Sequence, residues 1–207
     1  HELKLLGESG AGISSTPETE LQMGMGFPVA IKAHQAGVKS SLGIDIVSNY
    51  PGDMFSQMRL MLQTQRALEN EVYISRQQAP RKIRLSAKEV LRLATMGGAE
   101  VVGLSDRTGS ITPGKEADLI CIRPDSIHMV PISDAVGAIV LNAHSSDVDT
   151  VMVAGKILKR GGQLVGADWP KLSRRLKDSR SRIVEGYNSV DLAPIRAMWN
   201  QIFPHLA

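Results

Sequence analysis

Apolar positions along the chain switch between helical and strand-like spacing in a regular order. Leu3, Leu5 and Leu6 sit in a helical pattern that stops in the glycine chemistry of Gly7 to Gly10. "AGISSTP" follows as a short strand, "ETELQMGMG" as a loop, and "PVAIKAHQAG" as a helix opened by Pro28 and closed at Gly37. "VKSSLGID" is the next strand. Asp53 then N-caps a long helix whose Met54, Met58, Met61, Leu68 and Val72 recur at helical spacing. The order α-β-α-β-α with short connections predicts parallel strands joined by crossover helices, an α/β fold.

After the polar break "QQAPRK", Ser86-x-x-Glu89 ahead of Val90 and Leu91 is a capping box, and "GGAEVVGL" continues as a second helical piece. The character changes near Asp106. "ADLICI" is a short apolar strand, "VDTVMVAGKIL" is β-branched, and "KRGGQLVG" turns back into a strand. From Trp169 an amphipathic helix carries Leu172, Leu176 and Ile183 on one side, and the tail "LAPIRAMWNQIFPHLA" again has helical spacing. Three segments result: 1–105, alternating helix and strand; 106–165, rich in strands; and 166–207, a helical tail.

Composition limits the functional classes. The chain has 207 residues, 43% hydrophobic and 22% charged, enough for a sizeable core. Aromatics are only 4%, so aliphatic residues and nine methionines carry the packing. A net charge of +3 is too small to require a polyanionic partner, and the basic run from Lys171 to Arg182 lacks interleaved aromatics. Neither nucleic acid nor a membrane is expected as a partner. A single cysteine, Cys121, excludes an intramolecular disulfide framework and fits a reducing, cytoplasmic setting. Its alternation in "ADLICI" predicts a core position. The chain starts at His1 inside a helical pattern, which predicts further sequence upstream.

Few side chains stand out chemically. "GSITPGKE" imitates a phosphate-binding loop, but Glu116 replaces the hydroxyl residue that reaches magnesium and Pro113 removes an N–H donor. A strand follows where a helix should begin, so a tight turn is the better reading. The histidines His1, His34, His128, His144 and His205 show no H-x-H or H-x-x-x-H spacing. His144 with Asp147 and Asp149 offers metal-binding residue types, in a turn-rich stretch where surface exposure is expected. Asp45 differs. A carboxylate at the C-terminal end of a parallel strand lies on the face that carries chemistry in barrel folds, and Asp53 already supplies the next helix cap. Position and residue type leave a functional and a structural role both open.

Several segments together resemble one family. "LSAKEVLRLATMGGAEVVGLSDRTGSITPGKEADLICI" is similar to the closing segment of metal-dependent amidohydrolases of the cytosine deaminase and triazine chlorohydrolase branch. "DVDTVMVAGKILKRGGQLV" resembles the hairpin that completes their small accessory β-sandwich. "STPETELQMGMGFP" and "SLGIDIVSNYPGDMFSQMR" resemble the loop after barrel strand seven and the region of strand eight. The resemblance implies the C-terminal part of a (β/α)8 TIM barrel in 1–105, the β-sandwich in 106–165, and a helical tail in 166–207.

It also implies a reaction. Asp45 inherits the place of the strand-eight aspartate, a metal ligand and general base that takes the proton of the attacking water. One divalent metal is implied, zinc or alternatively iron, with its other ligands upstream. Glu20 and Ser48 are assigned to substrate. Glu20 stands where many relatives have Asn, which suggests an amino-bearing heterocycle, and Ile44 replaces a usual Thr. The implied activity is hydrolysis of a C–N bond, the deamination of a cyclic amidine, in an enzyme that can be a homo-oligomer. Two alternatives stay open: a non-catalytic binding or assembly subunit, and a related hydrolase of cyclic amides or C–Cl bonds. The 207-residue chain alone is expected to be inactive, because it offers one credible ligand.

Overall fold

The structure is a computed structural model. It describes residues 1–48, 50–80 and 82–204, so His205 lies outside the described residues. The chain divides into two units, His1–Val165 and Gly166–Ala207.

The first unit begins with helix α1 (Glu2–Ser9), ended by Gly10 in a left-handed conformation. Strand β1 (Gly12–Ser15) leads into helix α2 (Pro17–Gln22), and helix α3 (Ala30–Gln35) leads into strand β2 (Lys39–Leu42). β1 and β2 pair in parallel, with Gly12 opposite Lys39 and Ser15 opposite Leu42. A hydrogen bond of 2.8 Å from Gly43 N to Ser15 O carries the ladder one step further. Helix α2 departs from the loop expected there. Thr16, Pro17 and the acidic Glu18 and Glu20 form a helix start, and Gly24 and Gly26 break the chain only afterwards.

Helix α4 (Met54–Ile74) is capped by Asp53, whose side chain accepts from Phe55 N at 2.8 Å. Its buried face carries Phe55, Met58, Met61 and Leu62. Helix α5 (Ala87–Arg92) opens with the capping box, Ser86 and Glu89 each satisfying the other's backbone. The Ser86 hydroxyl and backbone N–H hold the Glu89 carboxyl below its usual range. A π-helical turn (Leu93–Gly97) then widens the helix before the short α6 (Gly98–Val101).

Strand β3 (Leu119–Ile122), helix α7 (Ala135–Leu141) and strands β4 (Val148–Val153), β5 (Lys156–Arg160) and β6 (Gln163–Leu164) complete this unit. The four strands form one antiparallel sheet in the order β3-β4-β5-β6. Among the described residues they make a single layer rather than the two facing layers of a sandwich. Ile120 and Cys121 are both exposed on β3, so Cys121 is not the core residue its alternation suggested. Helix α7 was not anticipated. Asp134 caps it, and its Val140 joins Phe55, Met58, Val90, Met129 and Val148 in one apolar cluster. Arg59 of α4 clamps the end of α7 through Leu141 O and Ala143 O, both at 2.9 Å.

The phosphate-loop lookalike is a closed turn. Lys115 Nζ donates to the carbonyls of Ser105 and Thr108, and Arg107 pairs with Glu116. The lysine thus spends its charge on its own loop. The second unit contains helices α8 (Trp169–Asn188), capped by Asp168, and α9 (Ala193–Ile202), neither with a buried residue. Leu172, Leu176 and Ile183 are exposed on α8. No helix among the described residues is long and apolar enough to cross a membrane.

Candidate active site

The two parallel strands deliver their following loops to the same end of the sheet. After β2 the chain runs through Gly43 and Ile44 to Asp45, whose φ of 67° is left-handed, a conformation rare for residues with side chains but tolerated by Asp. Gly43 is required here: a Cβ would lie 2.9 Å from Ser14 Oγ and 3.2 Å from Thr16 Cγ2. The Ile44 carbonyl accepts two hydrogen bonds, from Thr19 Oγ1 of α2 at 3.3 Å and from Tyr50 OH at 3.1 Å. Helix α2 is tied in turn to α4. Gln57 Nε2 donates to Glu18 Oε2 at 2.8 Å, and Glu18 N donates to Gln57 Oε1 at 3.0 Å.

The Asp45 carboxylate is exposed and makes no hydrogen bond or ion pair among the described residues. Such a free carboxylate is a competent oxygen ligand for a divalent cation and a competent proton acceptor. It is one ligand only. No group of three or more His, Cys, Asp or Glu among the described residues is placed to hold a metal. Ser48 is exposed in the same loop. Glu20 is engaged locally: its Oε1 accepts from Thr16 N at 2.6 Å, bracing the start of α2. Ser15, at the end of β1, also turns inward. It is buried, and its Oγ accepts from Val29 N at 3.2 Å and Ala30 N at 3.0 Å at the start of α3. Thr19, Tyr50 and Gln57 carried no local signal, because each acts on a residue distant in the chain or through a backbone carbonyl.

Of the His144, Asp147, Asp149 group, Asp147 and the His144 backbone belong to a structural knot with Ser126 and His128, whereas the Asp149 carboxylate accepts only from Thr150 Oγ1 at 2.8 Å. Asp147 is only 1% exposed, contrary to the surface position expected, and accepts from Ser126 Oγ, His128 Nε2 at 2.7 Å and His144 N at 2.8 Å. Both oxygens are engaged within the protein, and no metal-holding group of three or more such residues forms around them among the described residues. Burial pushes the Asp147 carboxyl up, but the hydrogen bonds from Ser126, His128 and the His144 backbone outweigh it and hold it down at about 2. The unfolded chain therefore binds the extra proton first as pH falls. The linked stability, about 2 kcal/mol, is present above pH ~4 and lost toward pH ~2. Asp147→Asn is expected to lower stability by about 2 kcal/mol at neutral pH and to flatten the acid limb of the stability curve. Denaturant midpoints from pH ~6 to ~2 check this, and unchanged midpoints in the variant would contradict it.

The pattern of the amidohydrolase family matches residues 1–158. The chain belongs to the amidohydrolase family. Among its relatives is the 5-methylthioadenosine/S-adenosylhomocysteine deaminase of Desulforudis audaxviator, 29% identical over 89% of this chain and 41% of that protein. Among solved structures, an adenosine deaminase from Xanthomonas campestris with bound zinc superposes with a TM-score of 0.80. It is 31% identical, covering 89% of this chain and 40% of the other. The atrazine chlorohydrolase from Arthrobacter aurescens, complexed with zinc, gives a TM-score of 0.73 at 26% identity, over 86% and 37%. This amidohydrolase chain therefore spans about two fifths of the length of the relatives it matches.

Proposed function

We propose that this chain is the C-terminal part of a cytoplasmic, metal-dependent amidohydrolase that removes an amino group from a small heterocycle. On this reading 1–105 closes a (β/α)8 barrel whose last two strands are β1 and β2. Residues 106–165 contribute one layer of an accessory β-sandwich, and 166–207 form a helical tail. The observation that carries the reading is Asp45. It is a free carboxylate in a left-handed turn at the exit of a parallel strand, in a chain of the amidohydrolase family. The similarity to deaminases of 5-methylthioadenosine, S-adenosylhomocysteine and adenosine favours a purine nucleoside as substrate.

Asp45 would supply one ligand to a divalent cation, zinc in the two solved relatives, with other ligands from the remainder of the full-length protein. When bound, such a cation makes a water acidic near neutral pH. Asp45 would take up a proton from the attacking water at a carboxylate oxygen and return it to the departing amine, which would leave as ammonia while the carbon it left gains the oxygen. Ser48, in the same loop, is within the region where substrate would lie. Glu20 holds the start of α2 through Oε1 and would meet substrate through its other carboxylate oxygen.

The likeness to a chlorohydrolase supports a second reading, in which the same water displaces chloride from a triazine. Ammonia and chloride release distinguish the two. The test is to load the full-length protein with zinc and assay 5-methylthioadenosine, S-adenosylhomocysteine, adenosine and atrazine in parallel. Ammonia from a nucleoside supports the proposal. Chloride alone supports the second reading, and neither product from any of them rejects both.

A further inference from the structure

We infer that Thr19 and Tyr50 are positioning residues for Asp45, acting together through the Ile44 carbonyl. The inference rests on the role proposed for Asp45 and explains how that residue is kept in place. The Ile44 C=O and the Asp45 N–H belong to one rigid peptide plane. Fixing the direction of the carbonyl therefore fixes the plane on which φ of Asp45 depends. At 67° that φ is left-handed, a conformation strained for most residues with a side chain and tolerated, though not favoured, by Asp. Rotating the plane would relieve the strain and swing the carboxylate away. Two hydroxyl donors on one carbonyl oppose that rotation.

The donors come from well-held side chains. Thr19 is 3% exposed and Tyr50 9%, so neither hydroxyl is competing freely with bulk water. Thr19 stands on α2, which follows β1, whereas Tyr50 follows β2. The carbonyl before Asp45 is thereby pinned from both strand exits. The reciprocal Glu18–Gln57 pair prevents α2 from drifting, since Gln57 is fully buried on α4. Gly43 completes the arrangement from below, donating to Ser15 O at 2.8 Å and leaving no room for a side chain. Neither hydroxyl need touch substrate or metal for this role.

The experiment compares Tyr50→Phe, Thr19→Val, Thr19→Ser and Asp45→Asn in the full-length protein. Tyr50→Phe and Thr19→Val should each lower kcat about fivefold, the factor to which one lost hydrogen bond of about 1 kcal/mol corresponds. KM should stay within about twofold and Thr19→Ser should restore kcat. Zinc retained after dialysis against a chelator should fall, and amide exchange across residues 44–48 should quicken without any activity measurement. If Asp45→Asn is inactive while Tyr50→Phe and Thr19→Val keep full kcat and zinc, the positioning inference is overturned and the role of Asp45 stands. If Asp45→Asn keeps near-normal activity, the role of Asp45 fails, and this inference with it. Loss of thermal stability with kcat and KM shifting together, not restored by Thr19→Ser, would mark a merely structural role and also overturn it.

Discussion

Asp45→Asn in the full-length protein is expected to reduce kcat by about a thousandfold or more while leaving the fold unchanged. Removing a positioned general base costs roughly 10²–10⁴ in rate, and loss of a charged metal ligand adds to that. Asn is the right probe because it preserves the size of the side chain and tolerates the left-handed backbone at least as well as Asp. The φ of 67° need not change. The carboxylate is exposed and unpaired in the described residues, so its removal deprives no buried donor of a partner. Stability should move by no more than about 0.5 kcal/mol, the usual range for surface changes. Turnover measured beside thermal unfolding separates the two effects. Near-normal turnover would remove Asp45 from the chemistry, and a collapse in stability would show that its role is structural.

Features that depend on neighbours in sequence were legible before the fold was known. Asp53 capping α4 and the Ser86–Glu89 box opening α5 each need only three or four residues, and both stand as read. The parallel relation of β1 and β2 followed from the helical stretch between them. Errors arose where a local signal was outvoted or where the partner lies far along the chain. The glycines after Gln22 suggested a loop and hid the Thr16-Pro17 start of α2. Asp147 looked solvated because its turn is polar. Its burial follows from Ser126 and His128, which reach it from a preceding loop. Cys121 shows the opposite failure: alternation states which residues share a face of a strand, but not whether another layer covers that face. For the candidate site, the position of Asp45 after a strand leaves its role open, and the resemblance to amidohydrolases is what singles it out. The two hydroxyls on the carbonyl before it were not legible, since a backbone acceptor leaves no mark in sequence.

Gly97→Ala is expected to cost more than about 3 kcal/mol, whereas Gly98→Ala next to it should be neutral or stabilising. Both glycines have right-handed helical backbone, so conformational freedom does not separate them. Contact does. A Cβ on Gly97 would lie 2.4 Å from Ser40 O and 3.3 Å from Arg92 O, while one on Gly98 would meet nothing within 4 Å. Ser40 belongs to β2, is 1% exposed, and faces Ile13 of β1 in the parallel pair, so its carbonyl has little freedom to yield. Overpacking against backbone costs more than pushing aside the end of a flexible side chain. The π-helical turn Leu93–Gly97 brings the glycine onto the strand, and a side chain there must lift the turn or displace β2. Displacing β2 would also shift the loop that carries Asp45. Gly97→Ala should therefore lose turnover in any fraction that folds. Gly98→Ala, freed of that contact, gains about 0.5–1 kcal/mol from the lower entropy of the unfolded chain. Denaturant unfolding of the two variants in parallel is the measurement. Equal midpoints would mean that the helix does not approach the strand as closely as described, and that the packing behind the Asp45 loop is looser than these contacts require.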